Sequence, residues 1–352
     1  ETLAGSAADF GVIGEGERAL LQLVGGEPPE KIAGLVRRDA ASGTVRQTPP
    51  VFIDDLGSLP YPALDLYDIS RYRYPHVTCR RNPVASMETS RGCFGRCVYC
   101  NKNIFGHKFR FKTPARVVDE MEHILGLGFR EIHIVDDGFT TDLKRAAAIC
   151  EEILRRGLSF PWYVRGGVRV DRVTPELLRL MKRAGCYRIP YGIESGDQGI
   201  LNRARKGITV EQVRDAVRWA RRAGMIIDGY FMIGLPGETE ETIGKTLALA
   251  KELPLDYAKF ALTVPLPGTV LFEEMYGKGQ IKTRDWPRYN FASSPCELYS
   301  HDTLSWEELN RHYERLHREF FLRPGYIFRT ALRALSEGTF LAHCRAFLGT
   351  RW

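Results

Sequence analysis

Between residues 84 and 265 short β-branched runs alternate with longer amphipathic runs, and this alternation constrains the fold more than any other feature of the chain. Residues 84–89, 131–135, 162–170, 187–193, 225–233 and 257–264 read as strands. Thr113-Pro114 supplies an N-cap followed by proline at the first helical position, and Val117, Val118, Met121, Ile124 and Leu125 then line one face until Gly126 and Gly128 stop the helix. Residues 142–156 read as a helix closed by Gly157, and Thr174-Pro175 opens another that stops at Gly185. Thr209-x-x-Gln212 is a capping box for a helix ending at Gly224, and Thr239 opens a helix to about Leu253. Six strands separated by helices predict an α/β fold with a parallel sheet, as an open doubly wound sheet or a partial (β/α)6 barrel. In either, ligands belong at the C-terminal ends of the strands.

Composition narrows the class. The chain has 352 residues, 44% hydrophobic and 26% charged, which is ordinary for a globular protein. No stretch approaches the 18 apolar residues of a membrane-spanning helix. The opening eight residues lack the basic and apolar regions of a signal peptide. The net charge of +7 is compatible with anionic ligands, but no block of like charges marks a nucleic-acid stripe. Pairs such as Arg155-Arg156 and Arg221-Arg222 fall near helix ends, where the helix dipole favours them. Eight cysteines in a chain of this length are no secreted disulfide framework, and a reducing cytoplasm is expected.

Three of those cysteines follow the first strand in the spacing Cys93-x-x-x-Cys97-x-x-Cys100. Three thiolates so close can hold one metal centre, yet are one short of filling a 4Fe–4S cube. The remaining iron is then free to bind a substrate or cofactor. Zinc prefers four closed ligands, and no second Cys-x-x-Cys pair exists, although His107 lies seven residues beyond Cys100. Cys150 and Cys186 fall in apolar patterns as core residues. Asp136 and Asp137 close the second strand, either as a ligand site or as a helix cap near Thr140. Arg169 ends the third strand, free for a ligand carboxylate or for an ion pair with Asp171 or Glu194.

The cysteine spacing, Tyr99 before the third cysteine and the six βα units together resemble the radical S-adenosylmethionine (radical SAM) enzymes, over roughly residues 84–270. The resemblance implies a 4Fe–4S cluster held by Cys93, Cys97 and Cys100. Its open iron would chelate the methionine end of SAM, and reductive cleavage would yield a 5′-deoxyadenosyl radical. It also implies SAM contacts. Asp136 and Asp137 would receive the ammonium and Arg169 the carboxylate. Gly192-Ile193-Glu194-Ser195-Gly196 is similar to the segment at the ribose and methionine, which carries over Glu194 and Ser195. Gly234-Leu235-Pro236-Gly237-Glu238 resembles the adenine-side turn, which carries over Gly234 and Pro236, and Pro265-Leu266-Pro267-Gly268-Thr269 a closing turn.

The N-terminal segment narrows the resemblance. Asp9, Gly14-Glu15-Gly16-Glu17, Ile32-Ala33-Gly34-Leu35, Asp55-Leu56 and Leu59-Pro60-x-Pro62 resemble the end of a cobalamin-binding domain and its linker, although a charged surface loop is the plain alternative for Gly-Glu-Gly-Glu. Residues 1–48 are thus expected as the remnant of that domain, 49–80 as a linker, 81–275 as the radical SAM core and 276–352 as a mainly helical region capping the substrate. Cobalamin-dependent methylation is the expected chemistry, on a small molecule, lipid or peptide. A cyclase of the same architecture, a tRNA methylthiotransferase and an iron–sulfur electron carrier are the alternatives. Flavodoxin or ferredoxin is the expected electron donor. Trp286, Tyr289, Phe291 and Tyr299 are candidates for an apolar pocket or core. Phe320–Tyr326 with Arg329 and Arg333 is a candidate for peripheral membrane contact.

Overall fold

A computed structural model describes residues 3, 7–39, 42–290 and 295–349. Three short strands, β1 (Phe10–Val12), β2 (Leu35–Arg38) and β3 (Val45–Gln47), form an antiparallel sheet in sequence order, with helix α1 (Glu17–Val24) between the first two. β2 and β3 carry no strand signal in the sequence, since they are short, β2 only partly buried and β3 exposed, with no apolar alternation. Their core is correspondingly small, built on Ala19, Ile32 and Leu35, and α1 leaves Leu20, Leu21 and Val24 exposed.

The main body is a six-stranded parallel sheet. Its elements run β4 (Val84–Met87), α2 (Pro114–Gly126), β7 (Glu131–Ile134), α3 (Leu143–Arg155), β8 (Trp162–Val164), α4 (Pro175–Arg183), β9 (Cys186–Glu194), α5 (Gln198–Arg203), α6 (Val210–Arg222), β10 (Ile226–Ile233), α7 (Glu240–Glu252) and β11 (Tyr257–Leu262). A small hairpin of β5 (Ser90–Arg91) and β6 (Arg110–Phe111) brackets the cysteine loop. The order β11-β10-β9-β8-β7-β4 leaves β4 and β11 as free edges, as a partial (β/α)6 barrel requires. The predicted caps form: Thr113, Thr174, Thr209 and Thr239 each accept a backbone N–H of the first helical turn.

One expected strand is shortened. Residues 162–170 do not run straight; β8 ends at Val164, and only Val168 returns, bridging to Tyr191. Gly166 packs against the carbonyl of Asp136 so closely that a Cβ would collide, and Gly167 has φ +96°. Those glycines bend the chain at the ligand end of the sheet.

One face of the sheet packs on the helices. Ile132 and Ile134 of β7, Val164 of β8 and Phe231 of β10 join Met121, Ile149, Met181 and Val217 of the helices in one continuous core. The C-terminal region is helical: α8 (Val270–Gly277), α9 (Trp306–Phe321), α10 (Pro324–Ser336) and α11 (Phe340–Leu348). Trp286 and Tyr289 pack half-buried against Phe272, and Tyr299 is fully buried beside Trp306 as core; Phe291 lies outside the described residues. Among the described residues no helix is long and apolar enough to cross a membrane.

Candidate functional site

The cysteine loop starts where β4 ends, and the aspartate pair frames it. The N–H and Oγ1 of Thr89 donate to Asp136 at 2.6 and 2.5 Å, and Ser90 Oγ donates at 2.6 Å. Asp136 is 1% exposed, so both of its oxygens are taken up in fixing the loop. Burial pushes its carboxyl upward, and the Ser90 and Thr89 bonds oppose this. Gly92 turns the chain with φ +83°, a position where a Cβ would strike the carbonyl of Lys108. Its N–H donates to Asp137 Oδ2 at 3.1 Å, while Asp137 stays exposed.

Cys93 is buried and Cys97 and Cys100 are half-buried, all as free thiols. Gly95 lies between them. Its N–H donates to Cys93 Sγ at 3.4 Å. A Cβ there would sit 3.3 Å from Cys93 Sγ, 3.5 Å from the Arg169 guanidinium and 3.8 Å from Cys97 Sγ. Glycine thus lets the two thiols and the cation converge on this short stretch of backbone. Arg169 is held by Asp171 (Nε to Oδ1, 2.9 Å) and by the carbonyl of Lys206 at 2.8 Å. Burial would lower its pKa, but the charges of Asp171, Cys97 and Cys93 outweigh that and raise it. Lys102 behaves likewise, burial being overcome by Cys100 and Cys93. Burial raises the Cys100 thiol, with Lys102 pulling the other way. Arg169 thus lies by Cys97 and Cys93, and Lys102 by Cys100 and Cys93, so two cations flank the three thiols. Among the described residues no three His, Cys, Asp or Glu side chains converge on a single-ion position. A cube binds each thiolate to a different iron and does not require it. The donor set, the convergence of thiols at Gly95 and the flanking cations fit a 4Fe–4S cluster on Cys93, Cys97 and Cys100.

Glu194 ends β9 with φ +67°, where a non-glycine residue carries about 1–3 kcal/mol of strain. Its carboxylate folds back over Gly192 and pairs with Lys206 Nζ at 2.6 Å, both side chains being nearly buried. Beside it the Tyr99 hydroxyl is buried without a hydrogen-bond partner. Burial, then the charges of Glu194 and Cys97, push that phenol well above its ordinary range. Ser195 is fully buried and turned away into α7, its Oγ 3.2 Å from Thr246 Oγ1. Gly234, with φ +83°, and Pro236 line a small cavity of about 20 Å3 with His301 and Asp302. Glu238 braces this turn, accepting from Gly234 N at 2.6 Å and Leu235 N at 3.2 Å.

The structure thus gathers the cysteines, Tyr99, Arg169 and Glu194 around one space, puts Asp136 and Ser195 into its scaffold, and leaves the Gly234 turn beside Tyr299. Lys102 and Lys206 carry no signal in the sequence, and Glu238 and Glu15 stand there only as members of their Gly-rich segments. Glu15 is the least expected of these: Arg110 NH1 donates to it at 2.6 Å, and Arg91 NH1 lies 3.1 Å away. Gly-Glu-Gly-Glu is therefore no free surface loop, since Glu15 is buried against two arginines that flank the cysteine loop.

Comparison with known proteins agrees with this geometry. The family described as the Radical SAM superfamily matches residues 87–250. An uncharacterized methyltransferase of Pyrococcus horikoshii is 33% identical over 93% of this chain and 72% of its own length. The anaerobic magnesium-protoporphyrin IX monomethyl ester cyclase of Cereibacter sphaeroides is 31% identical over 81% of this chain, but only 47% of its own length. Cytidylyl-2-hydroxyethylphosphonate methyltransferase of Streptomyces wedmorensis is 32% identical over 64% of this chain and 44% of its own. The chain therefore spans about half the length of the latter two relatives. Two solved structures share the fold. The radical SAM methyltransferase TsrM of Kitasatospora setae, with cobalamin and a [4Fe–4S] cluster bound, aligns with TM-score 0.63 at 23% identity over 79% of this chain and 55% of its own. The cobalamin-dependent radical SAM enzyme OxsB, with aqua-cobalamin and SAM bound, aligns with TM-score 0.71 at 18% identity over 94% of this chain and 55% of its own. With its three cysteines at the ligand end of a partial barrel and a relative this similar over most of both chains, the protein belongs to the radical SAM superfamily.

Proposed function

We propose that this enzyme reductively cleaves SAM to a 5′-deoxyadenosyl radical and uses it for cobalamin-dependent methylation of an unactivated carbon in a small molecule, lipid or peptide. The observation that carries the reading is the convergence of Cys93, Cys97 and Arg169 around Gly95, in the loop that follows the first strand of the parallel sheet. When bound there, the cluster supplies the electron for SAM cleavage. Arg169 offers a cation to the SAM carboxylate, and Asp137 an exposed carboxylate to its ammonium, while Asp136 holds the start of the cysteine loop. Glu194 and the unpartnered Tyr99 hydroxyl offer polar contacts to the ribose side. Gly234 and Pro236 give a flat backbone surface for the adenine, and Ser195 anchors the segment from behind.

The parse into a cobalamin-domain remnant (1–48), linker (49–80), radical SAM core (81–275) and substrate cap (276–352) belongs to the same reading. So do a cytoplasmic setting and a flavodoxin- or ferredoxin-like electron donor; nucleic acid has no place in it. Cyclisation is the second reading, favoured by the 31% identity to the cyclase of Cereibacter sphaeroides.

The test is anaerobic reconstitution of the full chain with iron and sulfide, followed by dithionite and SAM. Formation of 5′-deoxyadenosine by the wild type and not by Cys97→Ala is expected. A loaded wild type that forms none, with candidate substrates added to exclude substrate gating, would sink the radical reading. Adding cobalamin and methyl-labelled SAM then separates the two chemistries: label in the product means methylation, and its absence from a product that still forms means cyclisation.

A further inference from the structure

The sheet face turned away from the helices has its own chemistry. Strand register places Ser86 beside His133, His133 beside Tyr163, and Tyr230 beside Lys259 on this inner face. Its lower part is closed by paired groups. Arg188 Nε donates to Asp228 at 2.7 Å, Tyr187 Oη donates to Glu131 at 2.7 Å, and Tyr74 packs on His133 with ring centroids 5.3 Å apart. Its upper part is open and cationic. Arg165 and Lys259 are exposed, and among the described residues no carboxylate pairs with either. The Arg165 guanidinium lies 4.7 Å from the centre of the Tyr74 ring, and its charge reaches the phenols of Tyr163 and Tyr230.

Beyond Tyr74, along the free edge of β4, lies a cavity of about 410 Å3. Leu64, Leu66, Tyr67, Tyr72, Tyr74 and Phe129 line it, and Ser86 forms its inner wall. This volume is in the usual range of small-molecule sites. Tyr74 and Ser86 belong to both spaces: one is the aromatic wall under Arg165, the other an inner-face residue of β4. The cavity is aromatic, the lumen beside it carries uncompensated positive charge, and the sheet has no further strand at this edge.

We propose that cavity and lumen form one binding site for an amphipathic organic anion, its flat apolar body among the tyrosines and its acidic group on Arg165. This names the substrate class for the enzyme read above and rests on that reading. Aromatic rings favour a planar partner, and a guanidinium forms its strongest bonds to carboxylate or phosphate.

The test is direct binding to the full chain, with 2-naphthoate, 2-naphthyl phosphate and the uncharged 2-naphthamide as probes, followed by titration calorimetry. At least one acid is expected to bind about tenfold or more tightly than the amide, and which one binds distinguishes a carboxylate from a phosphate. Arg165→Gln is expected to erase that preference while leaving the amide's affinity unchanged. Ser86→Phe, which fills the joint between the two spaces, is expected to remove binding of all three. Leu64→Trp, at the outer wall, repeats that test should Ser86→Phe fail to fold. Equal affinity for acid and amide, no binding of any probe, or an acid affinity untouched by Arg165→Gln overturns the proposal. The titration needs neither cluster nor SAM, so its failure leaves the radical reading to be judged by 5′-deoxyadenosine alone.

Discussion

The two faces of the parallel sheet are made by the same strands and have opposite chemistry. On β7, Ile132 and Ile134 are fully buried among the helices, while Glu131 and His133, equally buried, point to the other side. The outer face is an apolar core. The inner face holds ion pairs and phenols, and leaves His133 Nδ1 and Asp228 Oδ1 buried without partners. Buried polar atoms cost free energy unless satisfied, so evolution of a fold alone would favour two apolar faces. The asymmetry teaches that the helices and outer face carry stability, and that the inner face and strand ends carry chemistry.

Substitutions can break that division. The largest effect is expected at the cysteine loop: Cys93→Ser should remove the iron–sulfur absorbance and take 5′-deoxyadenosine formation to background, because two thiolates cannot replace three. Next is Lys206→Met, which leaves Glu194 buried without its cation. A loss of about 3–5 kcal/mol in urea unfolding is expected, together with weakened SAM binding, so the strand end belongs to both sides of the division. Ile134→Ala on the outer face should cost about 2–5 kcal/mol, with SAM affinity unchanged in the folded fraction. Tyr163→Phe on the inner face should cost less than about 1 kcal/mol, because the ring keeps its packing on His133 and Tyr187. An equal loss from Ile134→Ala and Tyr163→Phe would erase the contrast between the faces.

The smallest expected effect is a pH slope. Burial pushes the Glu238 carboxyl up to about 8, against the N–H groups of Gly234 and Leu235 that favour its charged form. The folded chain then keeps a proton that the unfolded chain, with a glutamate near 4.5, has released. Stability from this group is therefore highest below about pH 4.5 and falls as pH rises to about 8. Glu238→Gln should flatten that part of the curve in urea midpoints taken across the range. An unchanged slope would mean that Glu238 is ionised in the fold.

Much of this was legible in the chain. The Thr-Pro and Thr-x-x-Gln starts mark helices because capping is local, satisfied within one turn. The cysteine spacing marks a metal site because its ligands lie on one loop. Asp136 shows where such reading ends. Its position at a strand end made it a candidate SAM contact, but its two oxygens are spent on Thr89 and Ser90. Nothing local distinguishes it from Asp137, which stays exposed. β2 and β3, α5 and the bend at Gly166 were equally illegible, since short elements depend on what packs against them.

The sequence by itself determined the alternating βα frame, its helix caps and the three thiols at the ligand end, because period, capping and ligand spacing act over a few residues. The tertiary structure alone decided which cation meets which distant carboxylate: Lys206 with Glu194, and Arg110 and Arg91 with Glu15. It also decided that Arg165 and Lys259 have no carboxylate partner among the described residues. Buried charges pair by proximity in space. The contacts that pair Lys206 with Glu194 and Arg110 with Glu15 join residues 12 and 95 positions apart, a range over which no local pattern survives.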